Sequence, residues 1–443
     1  METTVKIGQV RRAGAVGNFI EYFDTALYGF SAVTLAKLFF PEVDPVAGLL
    51  STFALFGVSF VVRPLGALLF GHIGDRWGRK SSLISSILLM SAATAAVGLL
   101  PTYSAAGILA PILLLIARLL QGFSTGGEAT TALVLVAEHS RIHNRGRNIA
   151  PLISSTIASS AAVSLVAMLI SIAVPADVFS SWAWRVPFLL AVPLGVVGLI
   201  LRLHVDDAEV YKSVAERPRV TKTPLLRAFR EVKKEMFVLF LWVAMQATSG
   251  YITISYMPTQ LMHFNKHSMA GTYGIIVVAL AIAAAAMFAL GRLAGRISRK
   301  KLATWLAAAL IVWTYPAFVL INHNFVVATI ALAILATVQF GTMLSSGLAV
   351  VELFPVEIRA TASALPYAVA FSVFGGTAPF VATWLASTFS PTAPALYIVL
   401  LAAVGLVVGW LGIPDIREKS GWSDDRAVAT PAGEPEQTGR SHG

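Results

Sequence analysis

The chain has 443 residues, of which 56% are hydrophobic and only 13% charged, and its mean hydropathy is +0.75. A soluble domain carries about 25% charged residues, so an ordinary soluble enzyme or binding domain is excluded. The absence of cysteine excludes disulfides, thiolate chemistry and Cys-based metal sites, and the net charge of +10 has to be read from where the charges fall.

In chain order, the start METTVKIGQVRRAGAVGNFIEYFD is not a cleavable signal. Glu21 and Asp24 interrupt its apolar region and no small-residue cleavage site follows. It reads as a short cytoplasmic lead into a first span. Apolar runs near the roughly 20 residues that cross a bilayer then recur. They predict twelve helical spans, at 14–40, 46–71, 81–100, 105–137, 148–174, 184–203, 236–262, 270–292, 302–321, 325–350, 359–388 and 393–413. An outer-membrane barrel would show short alternating segments instead. The expected organisation is an N-terminal six-helix bundle (1–205), a charged cytoplasmic linker (206–235), a C-terminal six-helix bundle (236–415) and a polar tail (416–443) without heptads, expected to be disordered.

The basic residues follow this topology. Of 33 Lys and Arg, 28 lie in the termini and every second loop, while only Lys37 and Lys266 lie in the opposite loops. The other three are Arg63, Arg118 and Arg185. This is the positive-inside asymmetry, predicting an inner-membrane protein with both termini cytoplasmic. The charge sets topology and needs no nucleic acid to explain it.

The two halves repeat weakly. GHIGDRWGRK (71–80) follows span 2 and GRLAGRISRK (291–300) follows span 8. Glu138 and Arg145 flank one loop at the same separation as Glu352 and Arg359 flank another. Paired six-span halves are a transporter architecture with the substrate site at their interface near the midplane.

Ionisable groups inside the spans are confined to the first half: Glu21 and Asp24 in span 1, Arg63 in span 2, Arg118 and Glu128 in span 4. No Asp or Glu lies between Glu235 and Glu352, and the eight histidines fall in loops, tails or span ends. A charge at the centre of a membrane helix costs a few kcal/mol or more and persists only where it faces a bundle interior or wet cavity. Helical spacing puts Asn18, Glu21, Thr25 and Tyr28 on one face, with Asp24 at its edge, and puts Arg118, Gln121, Thr125 and Glu128 on another. Gly122 and Gly126 permit close helix contact. These faces predict a polar seam between spans 1, 2 and 4, with the Arg118 fork set against a carboxylate: that of Asp24, of Glu21 or of the substrate. Burial disfavours a charged carboxyl group and a nearby arginine favours it, so Asp24 or Glu21 is the expected proton carrier. The second half offers neutral groups: Gln246, Tyr251 and Tyr256 in span 7, Gln339 in span 10, Tyr367 in span 11. Gly375, Gly376 and the prolines of span 11 predict a kink or close packing.

GHIGDRWGRK resembles the loop 2–3 signature of the major facilitator superfamily. GNFIEYFDTALYG, VRPLGALLFGHIGDRWGRK, RLLQGFSTGGE, SSWAWRVPFLL and ELFPVEIRATASALPYAVAFSVFGG together resemble its metabolite:proton symporters, the permeases for α-ketoglutarate, citrate, shikimate and proline/betaine. The resemblance covers nearly all twelve spans. It implies a two-bundle fold, rocking alternating access and proton-coupled uptake, with no cofactor or metal. Asp75, Arg76, Arg79 and Lys80 match the loop signature, implying a cytoplasmic latch. Glu128, Glu138 with Arg145, and Glu352 with Arg359 match charged positions of the gate region. Tyr22, Thr25 and Gly295 depart from the common Trp, Phe and Asp.

The expected activity is symport of a small organic acid, with Arg118, Arg63, Gln121, Tyr28, Tyr251, Tyr256 and Tyr367 as candidate substrate ligands. The alternative is uptake of a zwitterion such as a betaine or proline. The tail without heptads and the ALPYA and FGG pieces favour the acid. A membrane enzyme would need a catalytic cluster near an interface, and a sensor an added domain; neither is visible. The protein is expected to act as a monomer.

Overall fold

The computed structural model describes residues 7–77, 79–125, 136, 140, 142–204, 224–355 and 358–414. Glu128, Glu138 and Gly126, as well as the whole tail (416–443), lie outside them, as do the side chains of Asp75, Arg79 and Lys80.

Among the described residues, nine helices are long and apolar enough to cross a membrane, and Ile84–Leu99 and Leu109–Ser124 are shorter apolar helices. With the charged first helix, Ile7–Phe39, they make the twelve spans expected from hydropathy. Side chains such as Leu68, Val312, Val326 and Leu400 stand exposed on the outer surface. On a soluble protein such a surface would aggregate; here it matches hydrocarbon.

Helix starts follow local chemistry. Asp44 caps Pro45–Val61 by accepting from the Val46 and Ala47 amides at 2.9 and 3.2 Å. Ser268, Ser298 and Asn324 cap spans 8, 9 and 10 in the same way. Each oxygen satisfies an amide with no intrahelical partner. Span 2 does not run as one uninterrupted helix. It breaks at Val62, before Arg63 and Pro64, and resumes as Arg63–Trp77, because proline lacks an amide hydrogen and disturbs the preceding turn. Span 6 is likewise pieced from Ala183–Arg185, Val186–Leu189 and Ala191–His204. The end of the predicted linker is helical, Pro224–Glu231, with an Arg227–Glu231 pair at 2.8 Å.

Spans 7 and 11 each widen into π-helical turns, at Ile252–Tyr256 and Gln260–Phe264 and at Phe371–Gly375. The last lies in the stretch of span 11 where a kink was expected. Such turns are rare and occur frequently at functional sites. Both spans face the seam where the halves meet. Arg145–Ala173 (span 5) packs along Met269–Ala294 (span 8), and span 2 packs on span 11.

Candidate functional site

Four spans of the first half share one buried hydrogen-bond chain. Asp24 accepts from the Gln121 amide at 3.0 Å and from the Thr94 hydroxyl. The same amide nitrogen reaches Thr94 Oγ1 at 2.9 Å. The Gln121 carbonyl accepts from Arg118 Nη1 at 2.8 Å, and Arg118 Nη2 donates to Ser59 Oγ at 3.1 Å. The Arg118 guanidinium lies over the Tyr28 ring at 4.0 Å, and Nε has no partner. Asp24, Arg118 and Gln121 are all buried, so each charge depends on such partners.

Two expectations change here. Arg118 does not grip Asp24: Gln121 stands between them. It lies three residues along the same helix face, and its amide presents an acceptor to the cation and a donor to the carboxylate. The seam also includes span 3, through Thr94. A lone threonine in an apolar span reads as bonded to its own helix. Thr94 does bond Met90 O at 2.9 Å, while also serving Asp24.

A second group lies beside the first. The Arg63 guanidinium stacks 3.8 Å over the Phe60 ring and is an electrostatic neighbour of Tyr251, Tyr22 and Tyr367. Glu21 is in the same neighbourhood. Tyr367 stacks on Phe371 with centroids 4.6 Å apart, and Tyr251 meets Phe60 and Phe371 edge-on.

Between the halves lies a narrow crevice of about 270 Å³, lined by Tyr22, Gln246, Ala247, Gly250, Tyr251, Ile254, Gln339, Phe340, Met343 and Phe371. Its walls are aromatic, aliphatic and amide. The carbonyl oxygens of Gln246 and Gln339 are buried without a donor. Tyr22 and Phe340 were not among the expected ligands. Tyr22 departs from a familiar tryptophan, and that departure was the available signal.

The expected ligands Tyr28 and Tyr256 are not at the crevice. The Tyr28 hydroxyl donates to Thr52 O at 3.0 Å and its ring shelves Arg118. The Tyr256 hydroxyl donates to Gln260, which holds Asn265 and Pro391 O. Asn18 turns to span 5, donating to Leu152 O at 2.9 Å and to Ser155 and Thr156. Thr25 bonds the Glu21 carbonyl. In each case a nearer backbone or side-chain acceptor takes up the donor.

The halves touch at both ends of the crevice. At one end Glu352 takes Arg299 in two bonds of 2.9 and 3.2 Å and reaches Arg145 at 3.5 Å across the seam. A Cβ on Gly146 would stand 2.8 Å from Gly291 O, so the helices close only because both are glycine. At the other end a Cβ on Gly29 would stand 2.5 Å from Ser255 Cα, and Tyr273 donates to Phe30 O at 3.0 Å. Glu352 and Arg359 were expected only as charges flanking the span 10–11 loop. The partners of Glu352 are Arg299 and Arg145, while Arg359 donates to Phe354 O at 3.4 Å. Arg299 matches Arg79 in the repeated loop and could have been found from that symmetry. Arg76 is exposed, 5.3 Å from the Trp77 ring.

The profile of the Major Facilitator Superfamily matches residues 14–367. The glycine betaine/proline/ectoine/pipecolic acid transporter OusA of Dickeya dadantii is 34% identical over 92% of this chain and 84% of its own length. The proline/betaine transporter of Escherichia coli is similar to the same extent, and a putative proline/betaine transporter of Staphylococcus aureus is 35% identical over 89% of this chain and 86% of its own. In fold, the E. coli xylose transporter XylE in a partially occluded inward-open state superposes with a TM-score of 0.70 at 16% identity, covering 94% of this chain and 99% of that one. Twelve spans, a sealed crevice between two halves and these matches agree: the chain is a multi-pass transporter that belongs to the major facilitator superfamily.

Proposed function

We propose that the protein carries a compact zwitterion of the proline or betaine kind across the cytoplasmic membrane together with protons. The observation that carries this reading is the chemistry of the crevice walls. Cations, Arg63 and behind it Arg118, stand on the first-half side. The opposite side offers only aromatic and amide groups. One carboxylate is accommodated by the arginines. A second carboxylate, or the three of a tricarboxylate, would meet no further cation at the crevice from the second half, where Lys and Arg lie only in loops and at span ends. An ammonium group meets the faces of Tyr251, Phe340 and Phe371, which attract cations. The relatives named for proline and betaine transport favour the zwitterion over the organic acid that the arginines suggest when read alone.

Asp24 is the proposed proton carrier. It is one hydrogen bond from Gln121, and Gln121 is one from Arg118. Protonation of Asp24 weakens its hold on the Gln121 amide, since a neutral carboxyl is the poorer acceptor. It thereby changes what the arginine sees. With both crevice ends in contact, this state is read as occluded, and rocking about the seam would open one end at a time. The basic segments set the Glu352 end toward the cytoplasm, with both termini on that side.

Purified protein in liposomes tests the reading. Under an inward proton gradient, proline or glycine betaine should accumulate with matching external alkalinisation. Accumulation of a di- or tricarboxylate in place of either zwitterion would overturn the substrate class, and uptake of a zwitterion without proton movement would overturn the coupling.

A further inference from the structure

Gln246 and Gln339 are buried to 3% and 1% exposure and line the crevice from spans 7 and 10. Their carbonyl oxygens have no donor. They converge over Gly250: a Cβ there would come within 2.8 Å of Gln339 Nε2 and 4.0 Å of Gln246 Nε2. The missing side chain lets the Gln339 amide lie directly against the span 7 backbone at the crevice wall. A buried acceptor left without a donor is costly, and a zwitterion carries donors only on its nitrogen. Each side-chain amide can turn about its last bond to present oxygen to the crevice.

We infer that the Gln246–Gln339 pair over Gly250 is a specificity element that reads N–H groups on the substrate's ammonium, ranking zwitterions by how many N–H donors they carry. The inference rests on the zwitterion reading above. A secondary ammonium, with two N–H groups, satisfies both oxygens. A quaternary ammonium satisfies neither and is held by the aromatic faces alone. Sites built to hydrogen-bond a group discriminate strongly against analogues lacking it.

The probes are proline, N-methylproline and N,N-dimethylproline, which offer two, one and no N–H donors on one ring. Uptake is measured in proteoliposomes for the wild type and for the double variant Gln246→Met/Gln339→Met. For the wild type, KM should rise about tenfold across the series. In the double variant the spread should shrink to about threefold or less through a higher KM for proline, with dimethylproline uptake retained as the sign of an intact fold. A flat wild-type series, or one favouring the methylated compounds, overturns the inference. So does a variant that keeps the wild-type spread. Should the double variant carry nothing, the single variants Gln246→Met and Gln339→Met decide by the same spread. A wild type that carries no member of the series sinks the zwitterion reading and this inference together, whereas parallel losses in the variant sink this inference alone.

Discussion

Replacing Arg118 by lysine keeps the charge and removes the geometry. The guanidinium holds Gln121 Oε1 at 2.8 Å with one nitrogen and Ser59 Oγ at 3.1 Å with another, while its face lies 4.0 Å over Tyr28. A lysine ammonium is a point donor that cannot reach both acceptors and also lie flat on the ring. One charge-assisted hydrogen bond is lost, worth about 1.5–3 kcal/mol, with part of a cation–π contact of about 0.5–2 kcal/mol. Together these come to about 2–5 kcal/mol, a slowing of roughly thirtyfold to several thousandfold if the transport cycle passes through this arrangement. The assay is initial uptake of labelled proline into proteoliposomes under an imposed proton gradient, at matched protein incorporation. Uptake within threefold of wild type would refute the reasoning and reduce Arg118 to a helix brace.

Three further outcomes follow from the same geometry. Asp24→Asn should lower gradient-driven accumulation by at least about tenfold while counterflow exchange, which needs no net proton movement, continues; full accumulation would remove Asp24 from coupling. Glu352→Gln removes the carboxylate that Arg299 and Arg145 share, which weakens contact at that end by about 1.5–3 kcal/mol. Because the chain has no native cysteine, a single Ser345→Cys reporter, buried one turn and more before Glu352, should label faster in that background, and unchanged labelling would count against the latch. Gly29→Leu should hinder closure at the opposite end, where even a Cβ meets Ser255; transport at wild-type rate would mean the halves never close there.

The twelve spans were legible because lipid leaves few choices. Every buried backbone group must bond within its own helix, so long apolar runs can be little else. The charged seam was legible for a related reason: Asp24 and Arg118 are costly enough in hydrocarbon that their presence implies partners. The identity of those partners was not. Thr94 and Ser59 are small hydroxyls indistinguishable in sequence from residues that bond their own helix, and they acquire a role only when helices far apart in sequence are brought together. Tyr28 and Tyr256 were misassigned for the converse reason. An aromatic with a polar tip suits a binding wall, but their hydroxyls are taken by Thr52 O and Gln260, and no periodicity reveals a neighbour's free carbonyl. The substrate preference was the least legible part: arginines suggest an anion, whereas the proposed ammonium recognition falls to aromatic faces and amides that carry no charge to notice in a sequence.

That imbalance between the halves suggests how the machine divides its work. The charged groups near the middle of the spans belong to the first half, and two of them, Asp24 and Arg118, are tied by a continuous chain of bonds through Gln121 to Ser59. A network of this kind has few alternative arrangements that leave no buried charge unpaired, so it holds its shape as the halves rock. The second half has no such constraint. Its crevice walls rest on the π-helical turns of spans 7 and 11, a geometry that departs from the regular α-helix and is frequent at functional sites. Its glycines, Gly250 and Gly375, let rings and amides approach without a side chain between. On the function proposed above, the first half would set proton and carboxylate chemistry and the second half would close over the ammonium of the substrate. On this division, changes in the second-half wall should alter which substrate is carried and leave the proton requirement in place, whereas changes along the Asp24–Arg118 chain should alter coupling for every substrate alike.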